Sequence, residues 1–354
     1  MMNLLDNFDV IKIFLLSSLS FIIAVALTPL LTHFLYKYKM GKVIRDYKSA
    51  PIYSKLHKKK SGTPTMGGLL IWLTVLLLAL FFGGMAKFTD IEIFNKLNFL
   101  TRPQTLLPLG ALVASALVGL VDDYFNTRKM GDNGGGLKMK VRLILYTLIA
   151  AVGAYWFFFK LDWDLIHIPL VGNFEIGLWY IPIFIIIIVA TSFSVNETDG
   201  LDGLAGGVLL ICFGAFGIIA FAQGKTDLAT FCGVIMGALL AFLWFNIPPA
   251  RFFMGDTGAM GLGVTLGIVA LLTNYALLLP IIGLVLVMES FSVLVQTCSK
   301  KIRHKKVFIS TPIHHHYEAI GWPESKIVMR FWVITGVMAM IGLVIVFMER
   351  GISF

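Results

Sequence analysis

The chain reads as an all-α polytopic membrane protein of about ten spanning helices, organised as one domain over residues 1–354. Three observations predict this. Of 354 residues, 58% are hydrophobic and only 14% charged, and mean hydropathy is +0.85, which no ordinary water-soluble domain matches. The apolar residues form runs long enough for a helix rising about 1.5 Å per residue to cross a hydrocarbon core about 30 Å thick. The basic residues gather in alternate connections between those runs, as the cytoplasmic loops of a multi-pass protein do.

Taken in order, the expected spans are 13–35, 66–86, 104–121, 143–159, 176–195, 204–222, 228–245, 258–273, 276–298 and 331–348. The eighth and ninth come from one uncharged run, 257–288, too long for a single crossing and divided at Thr273 and Asn274; a count of nine would put the termini on opposite sides. The loop after the first span carries Lys37, Lys39, Lys42, Arg45, Lys48, Lys55, Lys58, Lys59 and Lys60. The third-to-fourth loop adds Arg128, Lys129, Lys138, Lys140 and Arg142, and the ninth-to-tenth adds Lys300, Lys301, Arg303, Lys305, Lys306 and Lys326. The odd-to-even loops are therefore expected in the cytoplasm and both termini in the periplasm. The periplasmic stretch 160–177, between spans four and five, has two short β-prone runs around Val171-Gly172-Asn173 and suggests a small hairpin.

The net charge of +9 is thus one-sided, suited to anionic headgroups and anionic substrates. No aromatic-interleaved basic face or binding module suggests nucleic acid. Cys212, Cys232 and Cys298 fall inside predicted spans, so no disulfide framework or metal knuckle is expected. The acidic start does not read as a cleaved signal peptide.

Carboxylates collect at the cytoplasmic span ends: Asp122-Asp123, then Asp199 and Asp202 in N-E-T-D-G-L-D-G, then Asp256 beyond Asn246. Same-side helix ends meet in a bundle, so these loops can converge. Asp122 and Asp123 end a helix whose dipole disfavours them, and their mutual repulsion at about 5 Å adds roughly 3 kcal/mol. A solvated pair neutralised by Arg128 or Lys129 would account for them. N-capping would account for Asp202 and Asp256 singly, but for neither Asp122, Asp123 nor Asp199. Magnesium accounts for the group as a whole, because it takes hard oxygen ligands and pairs carboxylates with substrate phosphates. Lys-rich loops beside it suit a diphosphate.

His314-His315-His316 cannot easily ligate one metal, since neighbours on a helix point about 100° apart. Separate hydrogen-bonding roles, or a structural turn after Pro312, are the two readings. Glu289 is an isolated anion inside the ninth span, which costs at least about 2.5 kcal/mol and marks it as functional; its partner is not evident. Gly224-Lys225-Thr226 mimics the end of a phosphate loop, but Ile219 stands where glycine is required.

The motifs together resemble the polyprenyl-phosphate N-acetylhexosamine-1-phosphate transferases. They are H-K-K-K-S-G-T-P-T-M-G-G from His57, V-D-D-Y from Val121, N-E-T-D-G-L-D-G-L-A from Asn196, F-F-M-G-D-T-G from Phe252 and P-I-H-H-H-Y-E from Pro312. The first and last are similar to the muramoyl-pentapeptide branch of that family. The resemblance implies a ten-helix bacterial inner-membrane enzyme, often a homodimer, with a cytoplasmic Mg2+ site. It implies transfer of phospho-MurNAc-pentapeptide from UDP-MurNAc-pentapeptide to undecaprenyl phosphate in the lipid bilayer. By motif match, Asp256 would ligate Mg2+, Asp122 would engage or deprotonate the carrier phosphate, and Asp123, Asp199 and Asp202 would complete the acidic site. Lys60, Thr65, Asn196, Asn246, Phe253, His314, His315 and His316 would surround the nucleotide and sugar.

Three features depart from the family pattern: Glu197 where Leu is usual, Asn126 and Arg142 where Lys is usual, and R-D-Y-K-S-A-P at 45–51 in place of R-x-D-G-P. Arg142 keeps the charge but changes a point ammonium to a planar fork. Transfer of GlcNAc-1-phosphate to the same carrier is the nearest alternative. An ion-coupled transporter is a remoter one, which expects carboxylates at the bilayer midplane, where only Glu289 is found.

Overall fold

The computed structural model describes residues 4–42, 54, 57, 60–130 and 135–351. The apolar windows become helices because no water is available in a bilayer core, so each segment must satisfy its own backbone N–H and C=O groups. In chain order these are α1 (Leu4–Lys37), α2 (Gly68–Phe88), the short α3 (Glu92–Leu97), α4 (Leu106–Thr127), α5 (Met139–Lys160), α6 (Tyr180–Thr198) and α7 (Leu204–Ala222). They continue with α8 (Thr226–Asn246), α9 (Gly255–Leu272), α10 (Leu279–Ile282), α11 (Leu284–Ile302), α12 (Ile313–Ala319) and α13 (Glu324–Glu349). Among the described residues nine helices are long and apolar enough to cross a membrane, and the bent pair α10 and α11 makes ten if counted as one span.

The split at Thr273 and Asn274 stands: α9 ends there, with Asn274 at a left-handed φ of 58°. The ninth span is not the straight 276–298 expected from hydropathy. It breaks by 84° between Ala276–Ile282 and Leu284–Ile302, because Gly283 leaves the helical region (φ −96°, ψ 35°) and hydropathy is blind to backbone direction. The last helix starts about two turns before residue 331, set by Pro323 with its fixed φ of −67° and by Glu324 in the first turn. That early start carries Glu324 out of the apolar run.

Between α5 and α6 a two-stranded antiparallel hairpin pairs β1 (Leu165–Ile168) with β2 (Gly172–Glu175), His167 opposite Asn173. The turn lies at Pro169–Val171, one step before the sequence suggested, with Leu170 at φ 65°.

At the centre stands α9, whose every residue but Asp256 is buried; α2, α4 and α6 pack against it. Small residues allow this. A Cβ on Gly68 would lie 2.3 Å from the Cα of Gly258, so the two backbones touch as in tightly packed membrane helices. The ends of α4, α6 and α8 and the starts of α5, α7, α9, α12 and α13 meet at one end of the bundle, through the contacts described next.

Candidate active site

The approach of α4 to α9 fixes the site. A Cβ on Gly119 would fall 2.2 Å from the Asp256 carbonyl oxygen, so only glycine lets α4 rest on the first turn of α9. One turn further along α4 come Asp122 and Asp123, 0% and 4% exposed. Asp123 Oδ2 accepts the Thr257 N–H at 3.0 Å, and its Oδ1 accepts the Thr65 hydroxyl at 3.2 Å. Asp199 Oδ2 accepts the Gly255 N–H at 3.2 Å. Capping is therefore the work of Asp123 and Asp199, two of the three residues that local pattern excluded from it. Neither Asp202 nor Asp256 caps its own helix. The correction has a physical reason: an aspartate disfavoured at the negative end of its own helix is stabilised by the positive end of another.

The counter-charge also differs from expectation. Arg128 stacks over the Tyr124 ring at 5.6 Å, and the cation that bridges Asp122 and Asp256 is Arg142 from the start of α5. Its Nη2 pairs with Asp122 and, at 3.0 Å, with Asp256. Its Nη1 donates to Asn196 Oδ1 at 3.3 Å, while the Asn196 amide donates to Asp256 Oδ1 and the Leu137 N–H to Asp122 Oδ1. The planar fork matters: one guanidinium spans α4, α6 and α9. Asn126 abuts Gly135.

Beside the carboxylates a pocket is lined by Lys42, His57, Lys60, Asp199, Gly200, Leu201, Asn246 and Phe253. Lys60 Nζ is gripped by Asp202 at 2.6 Å and Glu324 at 2.5 Å. Asp202 also accepts the Ala250 N–H at 3.1 Å and donates its own N–H to Glu324 at 2.7 Å. Asn246 joins the loops, accepting from Gly203 N–H and donating to Phe252 C=O, each at 2.8 Å. Phe253 presents its ring to Lys42 and Lys60, whose Nζ atoms lie 5.3 and 6.0 Å from its centroid. Burial raises the Asp199 carboxyl to about 6, with Lys42 opposing and Asp256 reinforcing the shift.

The three histidines take three different partners. His314, fully buried, bonds through Nδ1 to Glu289 Oε2 at 2.9 Å, which supplies the missing partner of that intramembrane anion. Its Nε2 has no hydrogen bond and faces Gly200, where a Cβ would lie 2.2 Å away. His315 Nδ1 bonds Glu318 Oε2 at 2.6 Å. His316 turns away from the pocket, accepting the Ile309 N–H at 3.3 Å. Burial lowers both His314 and His315 to about 3, so both are neutral near pH 7. Glu318 is held below the carboxylate range: burial would raise it, but bonds from His315 and His57 prevail.

The donor set fits a Mg2+ ion. Asp122, Asp123, Asp199 and Asp256 offer only hard oxygens; Asp122 Oδ2, though paired with Arg142, lacks a well-formed hydrogen bond, and the Asp256 side chain is 19% exposed. The 45–51 departure and Lys48, Lys55, Lys58 and Lys59 lie outside the described residues.

Residues 105–274 match glycosyl transferase family 4, and residues 60–71 match phospho-N-acetylmuramoyl-pentapeptide-transferase signature 1. The phospho-N-acetylmuramoyl-pentapeptide-transferase of Chloroflexus aggregans is 38% identical over 348 residues, 95% of this chain and 89% of that protein. Those of Geobacillus sp. (strain WCH70) and Bacillus anthracis are 39% and 40% identical, over 92% and 93% of this chain and 95% and 96% of their own lengths. The chain belongs to the phospho-N-acetylmuramoyl-pentapeptide-transferase family. The signature of that family spans Lys60 and Thr65, and the glycosyl transferase match spans every carboxylate from Asp122 to Asp256. Outside both lie Glu289, the histidines, Glu318 and Glu324. Sequence reasoning assigned no site role to Glu324; its one local signal was Pro323 followed by an acidic first turn.

Proposed function

We propose that this membrane transferase passes phospho-N-acetylmuramoyl-pentapeptide from its UDP conjugate to undecaprenyl phosphate, releasing UMP, with Mg2+ at the cytoplasmic face of a bacterial inner membrane. The observation that carries the reading is the junction of four aspartates around the first turn of α9, beside a pocket walled by Lys42, Lys60 and Phe253. Family membership supports the transferred group. The one-sided cations support a cytoplasmic site, and the all-oxygen donor set supports Mg2+ over a softer ion.

In this reading Asp256 holds the ion, with Asp122 facing the carrier phosphate and Asp123 fixing the first turn of α9. Bound there, Mg2+ would neutralise charge on the diphosphate. The Phe253 ring offers a stacking face for uracil, and Asn246 and Asp202 hold the loops that frame it. Lys60, immobilised by its two carboxylates, directs its charge to the nucleotide phosphates. Thr65, Asn196 and Asp199 border the sugar phosphate. His314, its Nδ1 committed to Glu289, has Nε2 as an acceptor for a hydroxyl or N–H of the substrate. His316 contributes through the loop it braces at Ile309, and His315 through its bond to Glu318. A carrier-phosphate oxygen attacks the β-phosphorus, the bond from that phosphorus to the UMP oxygen breaks, and Asp122 accepts any proton the carrier phosphate releases.

The test is UMP release from UDP-MurNAc-pentapeptide, undecaprenyl phosphate and Mg2+. Failure to release UMP would overturn the reading, as would preference for UDP-GlcNAc. A phosphorylated enzyme trapped with the UDP substrate alone would replace the single displacement with a two-step route.

A further inference from the structure

A second group of ligating side chains stands apart from the aspartates. His57, His315 and Glu318 come from the segment before α2 and from α12, 261 residues apart for His57 and Glu318. All three are nearly removed from water, with side chains 4%, 9% and 9% exposed. His57 Nε2 lies 3.1 Å and His315 Nδ1 2.6 Å from Glu318 Oε2, and the three ligand atoms fall within 4.8 Å of one another. The i, i+3 spacing of His315 and Glu318 points both along one face of α12, and the His57 ring meets that of His315 edge-on at 5.4 Å between centroids.

We infer that His57, His315 and Glu318 form a binding site for a divalent transition-metal ion of the Zn2+ type, with an open coordination position toward the pocket. A tetrahedral ion with bonds of about 2.0 to 2.1 Å keeps its ligand atoms about 3.3 Å apart, which the 3.1 Å between His57 and Glu318 already approaches, while the 2.6 Å between His315 and Glu318 must widen. Two imidazoles and one carboxylate form the ligand set of zinc sites that keep a fourth position for water or substrate. Imidazole nitrogen selects such an ion over Mg2+, which wants oxygen alone. The fourth position has somewhere to face: His57 also lines the pocket that holds Lys60, Asn246 and Phe253. The nearby ammonium does not claim Glu318, because the Lys60 Nζ is held by Asp202 at 2.6 Å and Glu324 at 2.5 Å. No residue is shared with the aspartate junction, so the two sites are chemically distinct, and the inference does not depend on which group the enzyme transfers.

The experiment uses the full chain in detergent, stripped with a chelator and titrated with Co2+ alone. One equivalent should give the intense visible bands of four- or five-coordinate Co2+ with nitrogen ligands, and Zn2+ should bleach them. Co2+ bound only at the aspartates would give the weak spectrum of an octahedral oxygen site. The bands should survive Asp256→Asn. In His57→Gln and in Glu318→Gln, affinity should fall more than about 100-fold, beyond the 10- to 100-fold typical of an outer partner. Each variant is first checked for a monodisperse elution profile. If one misfolds, the spectrum of the unaltered protein still decides. An octahedral-only spectrum, adventitious binding without saturation, or bands lost in Asp256→Asn but kept in His57→Gln would each overturn the site.

Discussion

Replacing Arg142 by Met tests whether one guanidinium holds the clustered carboxylates together. Its removal leaves Asp122, which is 0% exposed, and Asp256, whose side chain is 19% exposed, as facing carboxylates without the cation that pairs directly with both. Breaking a buried ion pair by deleting one partner costs about 3–5 kcal/mol. Water reaching Asp256 screens part of this, so the lower end, about 3 kcal/mol, is expected at low Mg2+. The signature is a change in linkage. A ligand that binds only the folded state adds RT ln(1 + [L]/Kd), so Mg2+ should raise the thermal midpoint of Arg142→Met more than that of the parent. Arg142→Lys keeps the charge but cannot span Asp122, Asp256 and Asn196, and should fall between them in stability. Thermal unfolding in detergent across a Mg2+ series measures this, with UMP release in parallel, where loss of a preorganised cation predicts a fall of about 10²–10³ in kcat. An Arg142→Met protein that matches the parent at low Mg2+ and gains no more from the ion would refute the reasoning.

Asp256→Asn should abolish Mg2+-dependent UMP release while leaving the elution profile of the purified protein intact; retained activity would remove it from the site. Glu289→Gln can present an amide N–H to His314 and reverse its tautomer. Loss of a charge-assisted bond of about 1.5–3 kcal/mol predicts at least a tenfold fall in kcat/KM, and an unchanged value would rule out Glu289 as a positioning residue. Gly200→Ala would drive a methyl to 2.2 Å from His314 Nε2, so KM for the UDP substrate should rise with little change in Mg2+ dependence. Asp199 is raised to about 6 by burial, above the ordinary value of about 3.9. A raised folded value favours the protonated form, so that contribution is complete below about pH 4 and lost as pH rises through 6. The stability of Asp199→Asn relative to the parent should therefore climb between those limits; a flat difference in a pH series of unfolding curves would contradict it.

Much of this was legible in the chain itself. Spans are written as apolar runs because the bilayer imposes a length and admits almost no charge, and the lysines and arginines set apart one end of the bundle. The acidic motifs lay within a few residues of span ends, so same-side convergence of Asp122, Asp123, Asp199, Asp202 and Asp256 followed from topology. Local rules failed wherever the decisive partner was distant. They assigned capping to Asp202 and Asp256, and the structure gives it to Asp123 and Asp199 acting across space. They looked for the counter-charge at Arg128 or Lys129, five to seven residues away, and it comes from Arg142 on the next helix. They left Glu289 without a partner until α12 brought His314 to it.

The sequence alone determined that this is a membrane protein of about ten spans, which residue types gather at one face and to which family it belongs, because hydropathy, charge and motif identity are properties of single positions. Only the tertiary structure decided the pairings: Arg142 between two aspartates, Lys60 held by Glu324 at a separation of 264 residues, and His57 brought to His315 and Glu318. Those depend on how closely the helices approach. That closeness was set by the missing side chains of Gly119 and Gly200, and by the 84° break at Gly283, none of which changes hydropathy enough to be read in advance.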